Sequence, residues 1–524
     1  MASIVYKQAV TRELSHLVVV ANRLPYVIER REGSWRTRPA SGGLVTALSP
    51  VLRDSGGTWV GWGGTLEEDE VDPDPLLQGE SADAGFTLKS VVLSQEEHDR
   101  FYLGFSNEVI WPLFHTLDER CNFAPAYWDA YKRVNEKFAA VVRDTISRDS
   151  FIWVHDYHFM LLGHQMRALG VKQSIGFFLH IPFPPLEIFL KLPWRLELLT
   201  AMLAYDIIGF QTLRDRRNFI HCVRALQRSA SASGRGRDVV ISTRERNVHA
   251  GVFPISIDFR EFAEHAASPK VVERVRRLRN ELDGRQMLLG LDRLDYTKGI
   301  PMRLRAFRRL LRNHPELHRK IRFVQIVIPS REVIPSYRQL KAEVEELVGE
   351  INGEFTDPGW VPVHYTFRSL SRDELLAYYR LADVGVVTPL NDGMNLVAKE
   401  YCAANVEEQG VLVLSEFAGA AAELRRAAVL VNPYDIVGMA EAMVHAIGMP
   451  SEERKARMAR LRRTIQQHDV HHWVRQFLDA AKSVQVLPPR AQRHRANGRN
   501  GSGPRRKRLR APERTRVFRQ AGTG

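Results

Sequence analysis

Short runs of β-branched and aromatic residues alternate with longer amphipathic segments from residue 17 to residue 484. Strand-like runs include LVVVA (17–21), FIWVH (151–155), FVQIVI (323–328) and VLVLS (411–415), and the amphipathic segments include 302–314 and 336–351. Strands that alternate with helices form parallel sheets covered by helices on both faces. Ligands of such sheets bind beyond the carboxyl ends of the strands. The sequence therefore predicts an α/β protein with its site at those ends.

The length of the chain indicates more than one domain. With 524 residues, 44% of them hydrophobic, it is too long for one compact core and suits two domains of roughly 200–250 residues. We expect a first domain over 1–255, a second over 256–467, and a cleft between them. The amphipathic segment 468–484 is expected to cross back onto the first domain, and the Ser/Gly/Arg-rich stretch 228–238 to form an exposed loop.

The net charge of +14 is concentrated at one end of the chain. Residues 487–524 contain twelve Arg or Lys and one Glu, so this segment carries +11 and the first 486 residues carry +3. The segment has too few apolar residues to fold alone and is predicted to be a disordered basic tail. Contact with polyanions is one hypothesis for its role, and a solvated extension of minor importance is the alternative.

Three scattered cysteines, Cys121, Cys222 and Cys402, argue against a disulfide framework and favour a reducing cytosol. We predict that all three pack in the core. The apolar run 17–21 near the N-terminus is too short for a signal peptide, and no stretch has the roughly 20 apolar residues that span a bilayer. A soluble cytoplasmic protein is expected.

The segment DVGVVTPLNDGMNLVAKEY (383–401) carries the strongest local signal. A buried strand is predicted to end in a turn at Asp392 and Gly393, and a helix to open near 394–396. The free N–H groups and positive dipole at a helix start suit a diphosphate, and glycine permits close approach. Glu400 falls where a carboxylate can accept hydrogen bonds from ribose hydroxyls. An ordinary strand, turn and helix with a surface Glu is the alternative.

Two further strands end in loops that carry cations. LDRLDYTKGIP (291–301) places Arg293 and Lys298 in one loop, and FVQIVIPSRE (323–332) delivers Arg331 to the edge of the cleft. Fixed cations can neutralise the charge that builds on a departing nucleoside diphosphate. Solvated surface charges are the alternative interpretation.

In the first domain, Arg23 follows the strand LVVVA, and Gly42 and Gly43 precede a helix in PASGGLVTALSP (39–50). A lone Gly-Gly is weak evidence for a phosphate site. Together with the loops of the second domain, however, it predicts a second phosphate-facing backbone across the cleft.

Aromatic residues and one carboxylate are predicted at strand ends and in loops of the first domain. They are Trp62, Tyr102, Trp111, Asp156 and Tyr157. Sugars are usually bound by aromatic faces that stack on the sugar ring and by a carboxylate that accepts hydrogen bonds from its hydroxyls. Each aromatic residue alone is more often a core residue. His180 ends a strand before three prolines, where it faces the reacting carbon or caps the strand, and His155 is open to a structural role.

With these residues assembled, the chain resembles the trehalose-6-phosphate synthase family of retaining glycosyltransferases. The motifs that carry the resemblance, from about residue 17 to 484, are ANRLP, SGGL, GFSNEVIWP, WVHDYH, GFFLHIPFP, RLDYTKG, PSRE, DGMNLVAKEY and LVLSEFAGAAAEL. The resemblance implies two Rossmann-like domains whose parallel sheets face each other across a cleft, the GT-B type of fold.

The resemblance also implies roles for individual residues. The nucleotide-sugar donor site falls on Gly42, Gly43, Arg293, Lys298, Leu370, Asp392, Gly393, Met394, Asn395, Leu396, Val397, Ala398, Lys399 and Glu400. The acceptor site comprises Arg23 and Arg331 at a phosphate, Tyr102 and Asp156 at hydroxyls, and Trp62, Trp111 and Tyr157 as walls. Arg293, Lys298, Asp156 and His180 are the expected catalytic residues, and Trp111 and His180 match positions that select the α anomer.

The implied reaction transfers glucose from a nucleotide-diphosphate glucose, with UDP-glucose favoured, to glucose 6-phosphate. The product is α,α-trehalose 6-phosphate, formed with retention as part of trehalose biosynthesis, a route to osmoprotection. The acceptor hydroxyl enters beside the leaving diphosphate, whose oxygen helps to take the proton. No metal or other cofactor is expected, and a homo-oligomer is plausible for the family.

The sequence departs from the family pattern at Asn391, where the family commonly has Arg, which leaves the donor's base (uridine, adenosine or guanosine) open. One alternative is the relative that transfers glucose to glycerol 3-phosphate, and another is a phosphorylase that carries pyridoxal phosphate. A third is a non-catalytic sensor of sugar phosphates. The acidic segments 67–70 and 72–75 imitate a metal-binding motif, but we predict a solvated loop there because no strand is expected before them.

Overall fold

The computed structural model describes residues 16–40, 43–236 and 238–485. Gly42 and the basic segment 487–524 therefore lie outside the described residues, as does the N-terminal segment 1–15. Two large sheets and a small hairpin, β2 (Tyr26–Arg31) with β3 (Ser34–Pro39), are present in the described part. The prediction of an α/β fold with parallel sheets is confirmed.

The first sheet has nine strands among the described residues. They are β1 (Leu17–Arg23), β4 (Thr58–Trp62), β5 (Thr87–Ser90), β6 (Phe151–His155), β7 (Ile175–Leu179), β8 (Ile207–Phe210), β9 (Ser231–Arg235), β10 (Asp238–Ser242) and β11 (Asn247–Val252). Their spatial order is β5-β4-β1-β6-β7-β8-β11-β10-β9. Neighbours from β5 to β11 are parallel, whereas β10 pairs antiparallel with β11 and β9.

The second sheet is parallel throughout. Its strands are β12 (Gln286–Arg293), β13 (Ile321–Ile328), β14 (Val363–Phe367), β15 (Val384–Val387), β16 (Val411–Ser415) and β17 (Val429–Val431). Their order is β14-β13-β12-β15-β16-β17. Because the strands are parallel, the loops that follow β12, β13 and β15 emerge at one edge, and these loops contain Arg293, Arg331 and the turn at Asp392.

Helices cover both sheets. In the first half of the chain they are α1 (Gly43–Ser55), α2 (Pro73–Ala84), α3 (Gln95–Glu97), α4 (Trp111–Phe114), α5 (Pro125–Thr145), α6 (Leu162–Ala168), α7 (Leu186–Phe189), α8 (Arg195–Met202) and α9 (Leu213–Leu226). In the second they are α10 (Phe259–Ala266), α11 (Pro269–Leu282), α12 (Ile300–Asn313), α13 (Pro335–Phe355), α14 (Arg372–Leu381), α15 (Leu396–Ala404), α16 (Ala421–Leu424), α17 (Ile436–Ile447), α18 (Ser451–Gln467) and α19 (Val470–Gln485).

Three local predictions are wrong. Stretch 228–238 is not only a loop, because β9 pairs along its length with β10 around a turn at Gly236 (φ 70°). Small residues at a sheet edge pair through their backbone, so composition did not reveal the strand. Tyr102 and Trp111 lie on helical segments, a wide helix over His98–Ile110 and α4, rather than at strand ends or in loops.

The acidic segment is the third departure. Strand β4 ends shortly before it, and Asp72 caps α2 by accepting a hydrogen bond from the backbone N–H of Asp74 at 3.0 Å. Glu68 accepts a hydrogen bond from the backbone N–H of Gln95 at 3.0 Å. Asp before Pro at the first helical position is a helix-start signal, and these acids serve as caps. Over the residues that the structure covers, no three His, Cys, Asp or Glu side chains are grouped to hold a metal ion.

The three cysteines are free thiols. Cys222 and Cys402 are buried and Cys121 is half-buried against the core, so the prediction that they are packing residues agrees with their positions. Among the helices described, none is long and apolar enough to cross a membrane.

The chain passes between the two sheets twice, and the two crossings are joined. The first follows β11, and the second enters α19, where the backbone N–H of Val470 donates to the carbonyl of Ile257 at 2.9 Å. Helix α19 packs on the first sheet, with the ring of Phe477 centred 4.6 Å from that of Trp153. The sheet makes room with glycine, because a Cβ added at Gly209 would lie 2.9 Å from the Phe477 ring.

Replacing Phe477 by Ala should lower the free energy of unfolding by about 3–5 kcal/mol, because a fully buried ring would leave a cavity against the sheet. Arg475→Ala, an exposed position on the same helix, should change it by less than about 0.5 kcal/mol. Denaturant unfolding of both variants measures the difference. Equal losses in the two variants would contradict this account of α19.

Candidate active site

The carboxyl edges of the two sheets meet at a glycine. Gly393 lies so close to the loop after β7 that an added Cβ would be 2.0 Å from the carbonyl oxygen of His180. An added Cβ at Gly43, at the start of α1, would lie 2.9 Å from a side-chain methyl of Leu396, at the start of α15. The N-terminus of α1, which packs with the first sheet, and the N-terminus of α15, which follows a strand of the second sheet, therefore face each other across the cleft. This arrangement suits a phosphorylated ligand between them.

Two arginines, one from each sheet, are held among aromatic rings. The guanidinium of Arg23 lies 4.9 Å from the ring centroid of Trp62 and 5.3 Å from that of Tyr102. The guanidinium of Arg331 lies 4.6 Å from the ring of Trp111. Rings beneath a guanidinium hold it in place through cation–π attraction and leave its N–H groups for an anion.

Arg331 is fixed further by two tyrosines. Its Nη1 donates to the hydroxyl of Tyr337 at 2.8 Å, and its Nη2 donates to the hydroxyl of Tyr157 at 3.3 Å. Tyr157 belongs to the first half of the chain and Tyr337 to α13, so this side chain bridges the cleft. The backbone of Arg331 has φ 50°, a left-handed conformation that non-glycine residues adopt at some cost.

Asp156 lies at the end of β6 with its carboxylate in the pocket. Its backbone also has a positive φ of 77°, and Oδ1 accepts a hydrogen bond from the backbone N–H of His180 at 3.2 Å. Burial raises the pKa of this carboxyl to about 7, although backbone N–H groups and the charge of Arg331 act to lower it. Near neutral pH this group is therefore poised between its acid and its carboxylate forms.

Tyr102 faces the same pocket. Burial acts to raise the pKa of its phenol, but the positive charges of Arg331 and Arg23 and a hydrogen bond from Arg331 lower it to about 8. The shift reports a strong positive field at this point. Such a field is what a phosphate dianion requires.

His180 has both ring nitrogens engaged. Gln211 accepts a hydrogen bond from the backbone N–H of Ile255 through Oε1 at 2.9 Å, which turns its NH2 group toward Nδ1 of His180 at 3.5 Å. Nε2 of His180 must then carry the proton and donate to Nδ1 of His155 at 3.1 Å. Burial lowers the pKa of His180 to about 3, so the ring is neutral and oriented.

The turn after β15 is held by a lysine of the neighbouring loop. Lys298 donates to Oδ2 of Asp392 at 2.5 Å, and the side-chain amide of Asn395 donates to the same oxygen at 3.1 Å. Although burial acts to raise the pKa of Asp392, Lys298 lowers it. Arg293 is exposed at the same edge, and its charge also acts on Asp392 and on Tyr102. The cations of this loop therefore surround the start of α15.

Helix α15 carries two neighbouring charged residues, of which Lys399 is buried and Glu400 is half-buried. Glu400 is half-buried and accepts a hydrogen bond from the hydroxyl of Tyr379 at 2.9 Å, and burial raises the pKa of its carboxyl. Lys399 points away from the cleft, with its ammonium 2.7 Å from Glu423 and 2.9 Å from the carbonyl of Ile255. Lys399 therefore contributes to a donor site only through its backbone.

The remaining residues predicted for the donor site differ in their exposure. Met394 and Ala398 are buried, whereas Leu396, Val397 and Leu370 are partly exposed apolar residues packed against the core. Leu396 and Val397 therefore supply apolar surface at the helix start itself.

Sequence reasoning missed residues that support the site. Asp295 and Tyr337 hold Arg331, and Gln211 orients His180. The fully buried Arg303 holds the loop of Lys298, since it donates to the Lys298 carbonyl at 3.2 Å and pairs with Asp292 at 2.8 Å. Asp295 lay inside the motif RLDYTKG, whereas nothing in the sequence distinguishes Gln211 from other polar residues.

Two largely parallel α/β sheets whose helix starts and cationic loops face each other across a cleft form a fold of the GT-B type. The family model for glycosyltransferase family 20 matches residues 15–483. The chain belongs to glycosyltransferase family 20.

Named relatives agree with this assignment. The trehalose-6-phosphate synthase of Mycobacterium avium (strain 104) is 44% identical over 473 residues, which cover 89% of this chain and 95% of the relative. A crystal structure of an α,α-trehalose-phosphate synthase (UDP-forming) from Burkholderia xenovorans in complex with glucose-6-phosphate is 36% identical, with a TM-score of 0.80 over 89% of this chain and 100% of that one.

A second solved structure adds a donor analogue. A trehalose-6-phosphate structure from E. coli, bound with UDP-2-fluoro glucose, is 38% identical, with a TM-score of 0.80 over 90% of this chain and 100% of that one. The predicted resemblance to the trehalose-6-phosphate synthase family is confirmed.

If the pocket binds glucose 6-phosphate, as the sequence predicts, Asp156 and Tyr102 determine how that binding depends on pH. Asp156 accepts sugar hydroxyls best as a carboxylate, so affinity should rise as pH passes through about 7. The phenolate of Tyr102 would repel the phosphate, so affinity should fall above about 8. Titration calorimetry between pH 6 and 9 measures both the rise and the fall in affinity. Tyr102→Phe should remove the fall and keep the rise, and an unchanged fall in that variant would reject the assignment.

Proposed function

We propose that this chain transfers the glucosyl unit of UDP-glucose to glucose 6-phosphate, forming α,α-trehalose 6-phosphate and UDP. The observation that carries the proposal is the pair of cationic sites meeting at one cleft. One contains Arg293 and Lys298 beside the start of α15, and the other contains Arg23 and Arg331. Each suits a phosphorylated substrate, and a UDP-sugar analogue and glucose-6-phosphate are bound in related structures.

The donor is assigned to the helix starts. Its diphosphate receives N–H groups from α15 and charge from Arg293 and Lys298, while Glu400 accepts hydrogen bonds from the ribose. Lys298 is paired with Asp392, so a diphosphate would share Lys298 with that carboxylate. The backbone around Leu370 would lie near the base. The name UDP-forming, which the B. xenovorans relative carries, favours uridine.

The acceptor is assigned to the aromatic pocket. Arg23 and Arg331 bind its phosphate, Tyr102 and Asp156 bind its hydroxyls, and Trp62, Trp111 and Tyr157 form the walls. Because Arg331 reaches from one sheet to Tyr157 of the other, the acceptor site is complete only when the two sheets are close. This closeness places the acceptor hydroxyl beside the donor.

In the reaction, the bond between the donor's anomeric carbon and its phosphate oxygen breaks, and a bond from that carbon to the acceptor hydroxyl oxygen forms. The hydroxyl proton passes to the leaving diphosphate on the same face, which retains configuration. Arg293 and Lys298 stabilise the charge on that diphosphate. His180 is not a base for this proton, because both ring nitrogens are hydrogen-bonded and its pKa is lowered to about 3. It limits the space at the anomeric carbon, together with Trp111.

The decisive experiment incubates the purified protein with glucose 6-phosphate and, in turn, UDP-, ADP- or GDP-glucose. Release of the nucleoside diphosphate and the sugar product are followed, and the product's anomeric configuration is determined. We expect α,α-trehalose 6-phosphate, formed fastest from UDP-glucose and also in the presence of EDTA. Transfer to glycerol 3-phosphate instead, or binding of glucose 6-phosphate without transfer from any donor, would reject the proposal.

Substitutions in the two cationic sites should change different kinetic parameters. Arg331→Ala should raise the KM for glucose 6-phosphate about 10- to 100-fold, because a charge-assisted hydrogen bond is worth about 1.5–3 kcal/mol, and should affect the KM for UDP-glucose much less. Lys298→Ala should mainly lower kcat, by about 100-fold, because it stabilises the leaving group. Steady-state kinetics with each substrate varied measures the split.

Arg338→Ala, an exposed position on α13 that donates only to a backbone carbonyl at 3.3 Å, is the matched control and should leave all parameters near wild type. Equal losses of acceptor and donor affinity in Arg331→Ala and Lys298→Ala would contradict the division of roles.

Several features of this proposal remain predictions. They are the domain boundary at 255–256, cytoplasmic location, a homo-oligomer and a contact of the basic segment 487–524 with polyanions.

A further inference from the structure

Asp295 shapes the loop that carries the donor-site cations. It lies between Arg293 and Lys298 in the chain and is 2% exposed. Its Oδ1 accepts hydrogen bonds from the backbone N–H of Thr297 at 3.0 Å and from the Thr297 hydroxyl at 2.9 Å. These bonds close the turn over Tyr296–Lys298, so the carboxylate fixes the position from which Lys298 projects.

The same carboxylate contacts the acceptor pocket. The indole Nε1 of Trp111, in α4 of the first half of the chain, donates to Oδ1 at 3.4 Å. The Nη1 of Arg331 lies 3.7 Å from Oδ2. One buried side chain therefore contacts the donor loop, a wall of the acceptor pocket and the cation that binds the acceptor's phosphate.

The residue next to Asp295 strengthens this connection. The ring of Tyr296 packs against Tyr337, with centroids 5.2 Å apart, and the guanidinium of Arg120 from the first half of the chain lies 4.9 Å from its centroid. Tyr337 also binds Arg331 at 2.8 Å. The turn over Tyr296–Lys298 thus cannot shift without moving the residues around Arg331.

A carboxylate at this place opposes binding of the acceptor alone. It lies 3.7 Å from Arg331 and adds negative charge behind a phosphate-binding site, so its presence needs another physical reason. Its contact with both the donor loop and the acceptor pocket supplies that reason. Because Asp295 is bonded to the donor loop and lies against Trp111 and Arg331, a ligand that acts on the donor loop acts on these two residues through it.

We propose that Asp295 is a positioning residue that couples the two substrate sites, so that a nucleoside diphosphate on the donor loop increases the affinity for glucose 6-phosphate. The inference rests on the proposed function. Coupling between sites is reciprocal, so glucose 6-phosphate should increase the affinity for UDP by the same factor.

The test measures the dissociation constant of glucose 6-phosphate by calorimetry, with and without saturating UDP, for the full-length wild type and for Asp295→Asn. Wild-type affinity should increase at least about fivefold with UDP, within the usual range for coupled sites. In Asp295→Asn, which keeps the shape but loses the charge that faces Arg331, the increase should fall below about twofold. The reciprocal titration, UDP with and without glucose 6-phosphate, should give the same factors.

Two further variants separate coupling from support of the fold. Asp383→Asn removes another carboxylate of the second half, one that accepts a hydrogen bond from the backbone N–H of Met287 at 2.8 Å, and should retain the wild-type coupling factor. Trp111→Phe keeps a ring beneath Arg331 but removes the N–H that reaches Asp295, and should lose coupling even if Asp295→Asn fails to fold. Replacing a residue that only supports the fold would weaken the binding of UDP and of glucose 6-phosphate alike, and would leave the coupling factor unchanged.

The outcomes are distinguishable from failure of the proposed function. A wild type that transfers glucose but shows the same coupling factor as Asp295→Asn or Trp111→Phe, or no coupling, would overturn this inference alone. A wild type that binds neither UDP nor glucose 6-phosphate would reject the proposed function and this inference with it.

Discussion

The close approach of Gly393 to the backbone of His180 is the constraint on which the rest of the site depends. With 2.0 Å between an added Cβ and the His180 carbonyl, no other residue fits there without separating the loops. This contact brings the helix start at Leu396 to the helix start at Gly43, and it brings Arg331 to Tyr157. The donor and acceptor sites are therefore products of one backbone contact as much as of the residues that line them.

Electrostatic organisation follows from that closeness. Two of the cations assigned to phosphates are each paired with a carboxylate, Lys298 with Asp392 at 2.5 Å and Arg331 with the buried Asp295 at 3.7 Å. The pairing compensates these charges and holds the side chains in place, so that little reorganisation accompanies their interaction with an anion. The backbone also has a positive φ at Asp156, Arg331 and Asn395, so three residues at this edge adopt conformations that cost a non-glycine residue some energy.

The features predicted from the sequence were those that local chemistry determines. Apolar runs at 151–155 and 411–415 are strands with those bounds, and the helix expected near 394–396 begins at Leu396. Contacts between distant segments were not accessible in this way. The strand at 231–235 depends on a partner for pairing. The importance of Asp295 depends on Trp111, 184 residues away, and the orientation of Gln211 depends on the backbone of Ile255.

The double crossing between the sheets has a mechanical consequence. The chain segment that leaves the first sheet near Ile257 is hydrogen-bonded to the start of the last helix at Val470, at 2.9 Å. We therefore expect the two connections to act as a single hinge. Any relative motion of the two halves should then be a rotation about this point. A rotation of a few degrees there would move the opposite rim by ångströms and so change access to the cleft.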